Sequence, residues 1–383
     1  MKETGGKTIF KKFRKKTDVK SGSKTRKRTL RSKPVKHVLS PAMIIAIRYF
    51  LVICFAVIVL FGGLLIHYSM SPVDDKNATV ILDIPTGSSF LKVTNILDEA
   101  GLVKNKFLFN LLAVVKKATR VIRAGEYEFN TSMTPSAILR KLVRGDIKKY
   151  RVTIPEDFNV RDIARRLDDY RLIDKKTFLE LARDKKFLAS MGIEADSIEG
   201  YLFPDTYNFH RSMSTRQIMS FMVSQFWKKV TPEMAEEAAK RGLTLHQLIT
   251  FASLIGKESG YYDEKNLISA VFHNRLKKKR RLQSDPTTVY DLDDFQGKIL
   301  KSHLKRKSPY NTYLIDGLPP GPIANPGLSS IRAVLNPAPV NYLYFVSKND
   351  GTHAFSETLE QHYEAIKELR RFQQEAKANN LEK

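Results

Sequence analysis

The chain has 383 residues, with 65 Lys and Arg against 40 Asp and Glu, and a single cysteine. That length exceeds what one compact core holds, so a single small domain is excluded. The lone Cys54 rules out a disulfide framework and a thiolate zinc site, and with no HExxH helical pair present, no metal or other cofactor is assigned.

The net charge of +25 suggests nucleic acid only until its distribution is read. Fifteen Lys or Arg against Glu3 and Asp18 place +13 of it in the first 41 residues. Repeated like charges and few apolar residues predict a disordered basic cytoplasmic tail over residues 1–41. No nucleic-acid partner is assigned to it, because an apolar run adjoins it and points to a membrane. From Tyr49 to Ile66 the chain reads YFLVICFAVIVLFGGLLI without a charge, and the AMIIAI run ahead of Arg48 lengthens it to the roughly 20 residues a bilayer requires. A transmembrane helix is predicted over residues 42–68, too far from the start for a cleaved signal peptide. KKFRKK, KTRKR and RSKPVK precede it, while Asp74, Asp75 and only Lys76 come after, so the N-terminus is expected in the cytoplasm and everything from about His67 outside. The tail then lies beside anionic lipid.

Beyond the span the sequence repeats itself. Ile84-Pro85 through Phe109 overlays Ile154-Pro155 through Leu179 at an offset of 70, setting Val93 against Ile163, Leu97 against Leu167 and Asp98 against Asp168. Tyr127-x-Phe129-x-x-Ser132-Met133-Thr134 overlays Tyr207-x-Phe209-x-x-Ser212-Met213-Ser214 at an offset of 80. Each copy reads as a strand ending at Ile-Pro, two short helices, a Tyr-x-Phe strand and a closing helix capped by Thr134 or Ser214. Two α/β modules are expected, over residues 78–147 and 150–225. Their periodic apolar positions read first as core, and a sugar-holding surface would come from backbone and a few polar groups that the pattern does not name.

The third region, residues 240–383, carries the chemistry. TLHQLITFASLIGKESG predicts a four-turn helix, with Thr244 and Gln247 as a capping box and Gly260 as its stop. Its apolar stripe runs Leu245, Leu248, Ile249, Ala252, Ile255, and Glu258 continues that face. Desolvation and the negative end of the helix dipole would both raise the pKa of such a carboxyl, as a general acid requires. A Glu near a helix end is otherwise most often solvated surface.

The string ASLIGKES, followed by VFHNRL, RLQSDPT, YNTY and GLPPGPIANPG, resembles the endolytic murein transglycosylase (YceG-like) family. EGYLFPDTY upstream and HAFS downstream fit it as well, so the resemblance spans roughly residues 80–370. It implies that Glu258 is the catalytic glutamate of a lytic transglycosylase acting on peptidoglycan, and that Asn274, Gln283, Asp285, Tyr310, Asn311 and Asn325 line the cleft. For Asp285-Pro286 and Asn325-Pro326 the competing reading is turn formation. Gly256 stands where many relatives carry an acidic residue. Ordinary glycosidases pair two carboxylates. Glu199, Asp205, Asp263, Glu264 and Asp285 are candidate partners that spacing does not separate, and the resemblance implies that one acid suffices. Tyr310 and Tyr313 are candidates to pack on sugar faces.

The expected fold is therefore α+β: an N-terminal transmembrane helix, two LysM-like modules, then an α+β catalytic domain. The expected enzyme is a single-pass plasma-membrane lytic transglycosylase that cuts within glycan strands, with cell-wall synthesis proteins as partners by resemblance. A non-catalytic wall-binding scaffold and a hydrolytic muramidase are the alternatives.

Overall fold

The computed structural model describes residues 40–381 apart from Gly260, Asp294, Gln296 and Asn349; the predicted basic tail lies outside the described residues up to position 39. A 30-residue helix, α1 (Pro41–Met70), contains the uncharged run and is long and apolar enough to cross a membrane.

The first module comes next as β1 (Thr79–Ile84), α2 (Phe90–Glu99), α3 (Lys106–Val115), β2 (Gly125–Asn130) and α4 (Pro135–Arg144). β1 and β2 pair antiparallel, with Thr79 opposite Asn130 and Ile84 opposite Gly125. Val80, Leu82 and Ile84 alternate inward, as a half-buried strand requires. Ser89, Asn105 and Thr134 cap the three helices through their side chains. Gly145 closes α4 in the left-handed region at φ +66°, which costs a glycine little.

The second module is β3 (Tyr150–Thr153), α5 (Val160–Asp169), α6 (Lys175–Leu181), α7 (Lys185–Ser190), β4 (Thr206–Phe209) and α8 (Thr215–Lys229). The element order of the first module recurs with one addition, the short helix α7, where two helices were expected. The change of sequence offset from 70 to 80 falls there. The correspondence reaches the backbone: Leu102 N–H donates to Leu97 O and Leu172 N–H to Leu167 O, with Gly101 and Arg171 left-handed at φ +70° and +54°. Tyr127 and Tyr207 each donate a hydroxyl to the carbonyl four residues earlier and stack on Phe129 and Phe209, with ring centroids 5.6 and 5.1 Å apart.

The C-terminal region comprises α9 (Pro232–Lys240), α10 (Leu245–Glu258), α11 (Lys265–Lys277), α12 (Lys301–Leu304), α13 (Leu328–Leu335), β5 (Tyr344–Ser347), β6 (His353–Ser356) and α14 (Leu359–Leu381). β5 and β6 form a third antiparallel pair. The first module has its own core around Val93, Leu97, Phe109, Tyr127 and Ile138. The second module and the C-terminal region share one continuous core, running from Ile163 and Phe209 through Phe251 and Phe272 to Val334. Glu126 ties the first module to the second, accepting from Tyr150 Oη at 2.7 Å and pairing with Arg211 at 3.0 Å.

Candidate active site

α10 begins with the capping box its sequence predicts: Thr244 Oγ1 accepts from Gln247 N–H at 3.2 Å, and the Gln247 side chain accepts from Thr244 N–H at 2.9 Å. Instead of the single stripe expected, every residue from Leu248 to Gly256 is buried. α9, α11 and α13 surround the helix, and the loop before α13 adds Ile323 N–H, which donates to Ser253 Oγ at 3.0 Å. A helix apolar on all sides is central to its domain. α10 ends at Glu258, and Ser259 turns into extended backbone (φ −141°, ψ 130°); the predicted stop at Gly260 lies outside the described residues.

Glu258 is partly accessible, and desolvation of its carboxyl is the main force that pushes its pKa from 4.5 to about 7. The Asp285 carboxylate pushes the same way, while a hydrogen bond from Ser284 and the charge of Arg275 pull down. Ser284 Oγ donates to Glu258 Oε1 at 2.5 Å. The loop that delivers this hydroxyl is held at several points. Gln283 sits at φ +51°, a left-handed conformation unusual outside glycine. Gln283 N–H donates to Thr312 O at 3.1 Å, Ser284 N–H to Thr312 Oγ1 at 2.9 Å, and Thr287 Oγ1 to Ser284 O at 2.6 Å. Asp285 opens a 3-10 turn with Pro286 and accepts from Tyr313 Oη at 2.5 Å. Burial and this carboxylate hold the Tyr313 phenol well above its usual range. Arg275 reaches the site from α11, donating to Leu343 O at 2.7 Å and Leu282 O at 2.6 Å.

The structure divides the residues expected in the cleft. Gln283 and Asp285 flank Ser284, which donates to Glu258, and Gln283 is exposed, its amide making no hydrogen bond among the described residues. Asn274 donates both amide hydrogens to backbone, to Val340 O at 2.8 Å and Tyr342 O at 3.0 Å. Asn311 is fully buried and donates to Leu304 O and Arg306 O. Asn325 is also fully buried: its oxygen accepts from Gly200 N–H and Leu202 N–H, and its nitrogen donates to Phe158 O and Glu199. Tyr310 packs on Tyr290 at 4.7 Å between ring centroids.

Of the five candidate partner carboxylates, Asp285 is the one that acts on Glu258. Glu199 is buried, accepts from Val160 N–H at the start of α5, from Asn325 and from Tyr290 Oη, and burial raises it to about 7. Asp205 accepts from Thr206 N–H, and Glu264 pairs with His353. Asp263 is exposed. Sequence reasoning passed over Ser284, although it stands inside the RLQSDPT string, and over Asp157. A side chain on Gly256 would place its Cβ 1.8 Å from Asp157 Oδ1, so the bare backbone of α10 admits a carboxylate from the turn after β3. Burial raises Asp157 to about 6.

Cavities run along the seam between the second module and the C-terminal region. One of about 290 Å³ is bounded by Lys257 and Pro286, neighbours of Glu258 and Asp285, and by Arg161 and Tyr290. Another of about 690 Å³ shares Arg161 and Tyr290 and extends to Glu199.

Residues 82–368 match the YceG-like family. An endolytic murein transglycosylase of Bacillus subtilis is 34% identical over 313 residues, covering 77% of this chain and 86% of that protein. One from Streptococcus pneumoniae is 29% identical over 323 residues, 75% of this chain and 58% of its own longer length. A crystal structure of a yceG-like protein from Listeria monocytogenes superposes with a TM-score of 0.53 at 33% identity, over 76% of this chain and 99% of that one. A family match over most of the chain makes this protein a member of the YceG-like family.

Proposed function

We propose that this protein is a membrane-anchored lytic transglycosylase that cuts MurNAc-GlcNAc β-1,4 bonds within peptidoglycan strands and leaves 1,6-anhydro-MurNAc ends. The observation that carries the reading is the Glu258 carboxyl at the end of a buried helix, raised to about 7 by desolvation and positioned by Ser284. A carboxyl near neutral pKa is protonated often enough to donate and basic enough, once ionised, to accept. The relatives named endolytic murein transglycosylase and the family match support the same chemistry.

Glu258 donates its proton to the glycosidic oxygen as the bond to C1 of the muramic residue breaks and an oxocarbenium-like centre develops. The muramic C6 hydroxyl then attacks C1, and its proton passes to the Glu258 carboxylate, so the enzyme is restored and no water is consumed. Ser284 holds the carboxylate between the two transfers. Asp285 accepts from Tyr313 Oη and fixes this ring, which with the Gln283 amide faces the sugar. Asn274, Asn311 and Asn325 are framework, since their amides are occupied by the protein itself. Tyr310, beside Tyr290, belongs to the seam, where the cavities give a strand room to run. The two modules act as LysM-like holders of glycan, and α1 anchors the chain with its N-terminus in the cytoplasm.

The test is digestion of uncrosslinked glycan strands by the full chain, read by mass spectrometry. Internal fragments ending in 1,6-anhydro-MurNAc, one water lighter than hydrolytic products, are expected. Glu258→Gln should fold and bind strands while losing at least about 100-fold in turnover, the lower end of what general acid–base assistance contributes. Reducing ends in place of anhydro ends would convert the reading to a hydrolase, and full activity in the variant would remove Glu258 from the mechanism.

A further inference from the structure

We propose that the outward face of α3 docks on the anionic phospholipid surface of the membrane that α1 crosses. The inference rests on the reading of α1 as an anchor.

α3 buries Phe109, Leu112 and Ala113 in the first module's core, yet its other face is apolar as well. Phe107, Leu111, Val114 and Val115 succeed one another at i, i+4, i+7 and i+8, which places them on one side of a helix. Phe107 is 67% exposed, and Val114 and Val115 are each 61% exposed. A helix that is apolar all round and open on one side lacks a partner. The fold itself does not demand this face. In the second module, whose sequence overlays the first at an offset of 70, Thr177 stands at the position of Phe107, and α6 turns Lys176 and Glu180 outward.

Three observations identify the occupant. The first is position: Leu65 and Tyr68 pack on the first module's core, Tyr68 Oη donates to Asn105 O at 3.1 Å, and Lys104 Nζ donates to Pro72 O at 3.1 Å. Asn105 caps α3, so the helix starts beside residues that stand two to six places beyond the end of the apolar run at Ile66. The second is charge: Lys104, Lys106, Lys116, Lys117, Arg120 and Arg123 lie between Ala100 and Gly125, a stretch without one acidic residue. Lys106 pairs with Asp98, while Lys117, Arg120 and Arg123 have no acidic partner among the described residues. The third is their combination: an apolar stripe rimmed by cations is the pattern of a helix lying in a lipid headgroup layer.

The full chain carrying Cys54→Ser and a single fluorophore-labelled Val114→Cys is reconstituted into vesicles of phosphatidylcholine with phosphatidylglycerol. Equivalent labels at Phe55→Cys, inside α1, and at Glu180→Cys, on α6, serve as references. Quenching by lipid-borne nitroxides should be several-fold stronger at position 114 than at 180, and should weaken in pure phosphatidylcholine and at high salt as the charges are screened. Equal quenching at 114 and 180, both open to aqueous iodide, overturns the docking while leaving the anchor intact, provided position 55 is quenched by lipid. A label at 114 shielded from iodide but untouched by lipid nitroxides overturns it in favour of a protein partner. Failure at position 55 as well removes the anchor on which the inference stands.

Discussion

A carboxyl asked to act as acid and then as base must keep its proton near neutrality, and Glu258 does so through burial. The folded protein holds that proton more tightly than the unfolded chain, about 7 against 4.5, so the group favours folding most below 4.5 and the contribution is lost as pH climbs through about 7. Glu258→Gln lacks this dependence. Its stability relative to the parent should therefore rise by about 1–3 kcal/mol between about pH 5 and about pH 8, screening at a partly accessible group included; denaturant midpoints at the two pH values measure it. A pH-independent difference would mean that the carboxyl is solvated. Ser284 provides a second handle, because its hydroxyl stabilises the ionised form and lowers the Glu258 pKa. Ser284→Ala should move the alkaline limb of kcat/KM to higher pH and reduce turnover about tenfold, the worth of a hydrogen bond to a charged group. The helix pattern drew attention to Glu258, and the resemblance of the motif around it made it the expected catalytic residue. Ser284 was not legible in this way, because it lies 26 residues away and meets the carboxyl only through the threonine-pinned loop. Where the amides of Asn274, Asn311 and Asn325 bond was not legible either: an amide suited to a sugar is equally suited to backbone carbonyls, and only the fold decides which it meets.

At the scale of elements, the repeat was legible because it depends on strand and helix periodicity, and the matched positions occupy matched places: Val93 and Ile163 are both fully enclosed. Their surroundings were not legible. Val93 belongs to a core confined to the first module, whereas Ile163 belongs to the core shared with α10. Equivalent substitutions should then diverge. Val93→Asp and Ile163→Asp should each cost several kcal/mol, as a buried unpaired charge does. The first should melt its own module and spare glycan cleavage by detergent-solubilised protein, while the second should take activity with it. Two unfolding transitions in calorimetry, of which Val93→Asp lowers one, would match this division. Loss of activity in both variants would mean that the first module supports the site directly. The stripe expected on α10 was misjudged for the same physical reason, since periodicity reports one covered face and cannot count how many neighbours pack around a central helix.

Across the whole molecule, the sign of charge changes at the span: +13 in the first 41 residues, then Asp74 and Asp75 against Lys76 immediately after it. The positive-inside preference should leave the Lys/Arg-rich flank in the cytoplasm and the modules and Glu258 on the side where glycan strands are polymerised. The predicted activity depends on this, because a transglycosylase facing the cytoplasm would never meet its polymer. Protease added to intact spheroplasts should therefore degrade the part after α1 and leave the N-terminal tail joined to the span, detected by an epitope at the N-terminus. Lysis before digestion should remove the tail as well. If the tail is cut in intact spheroplasts while the C-terminal part survives, the chain is inverted, and a peptidoglycan substrate is excluded by geometry whatever Glu258 can do in solution.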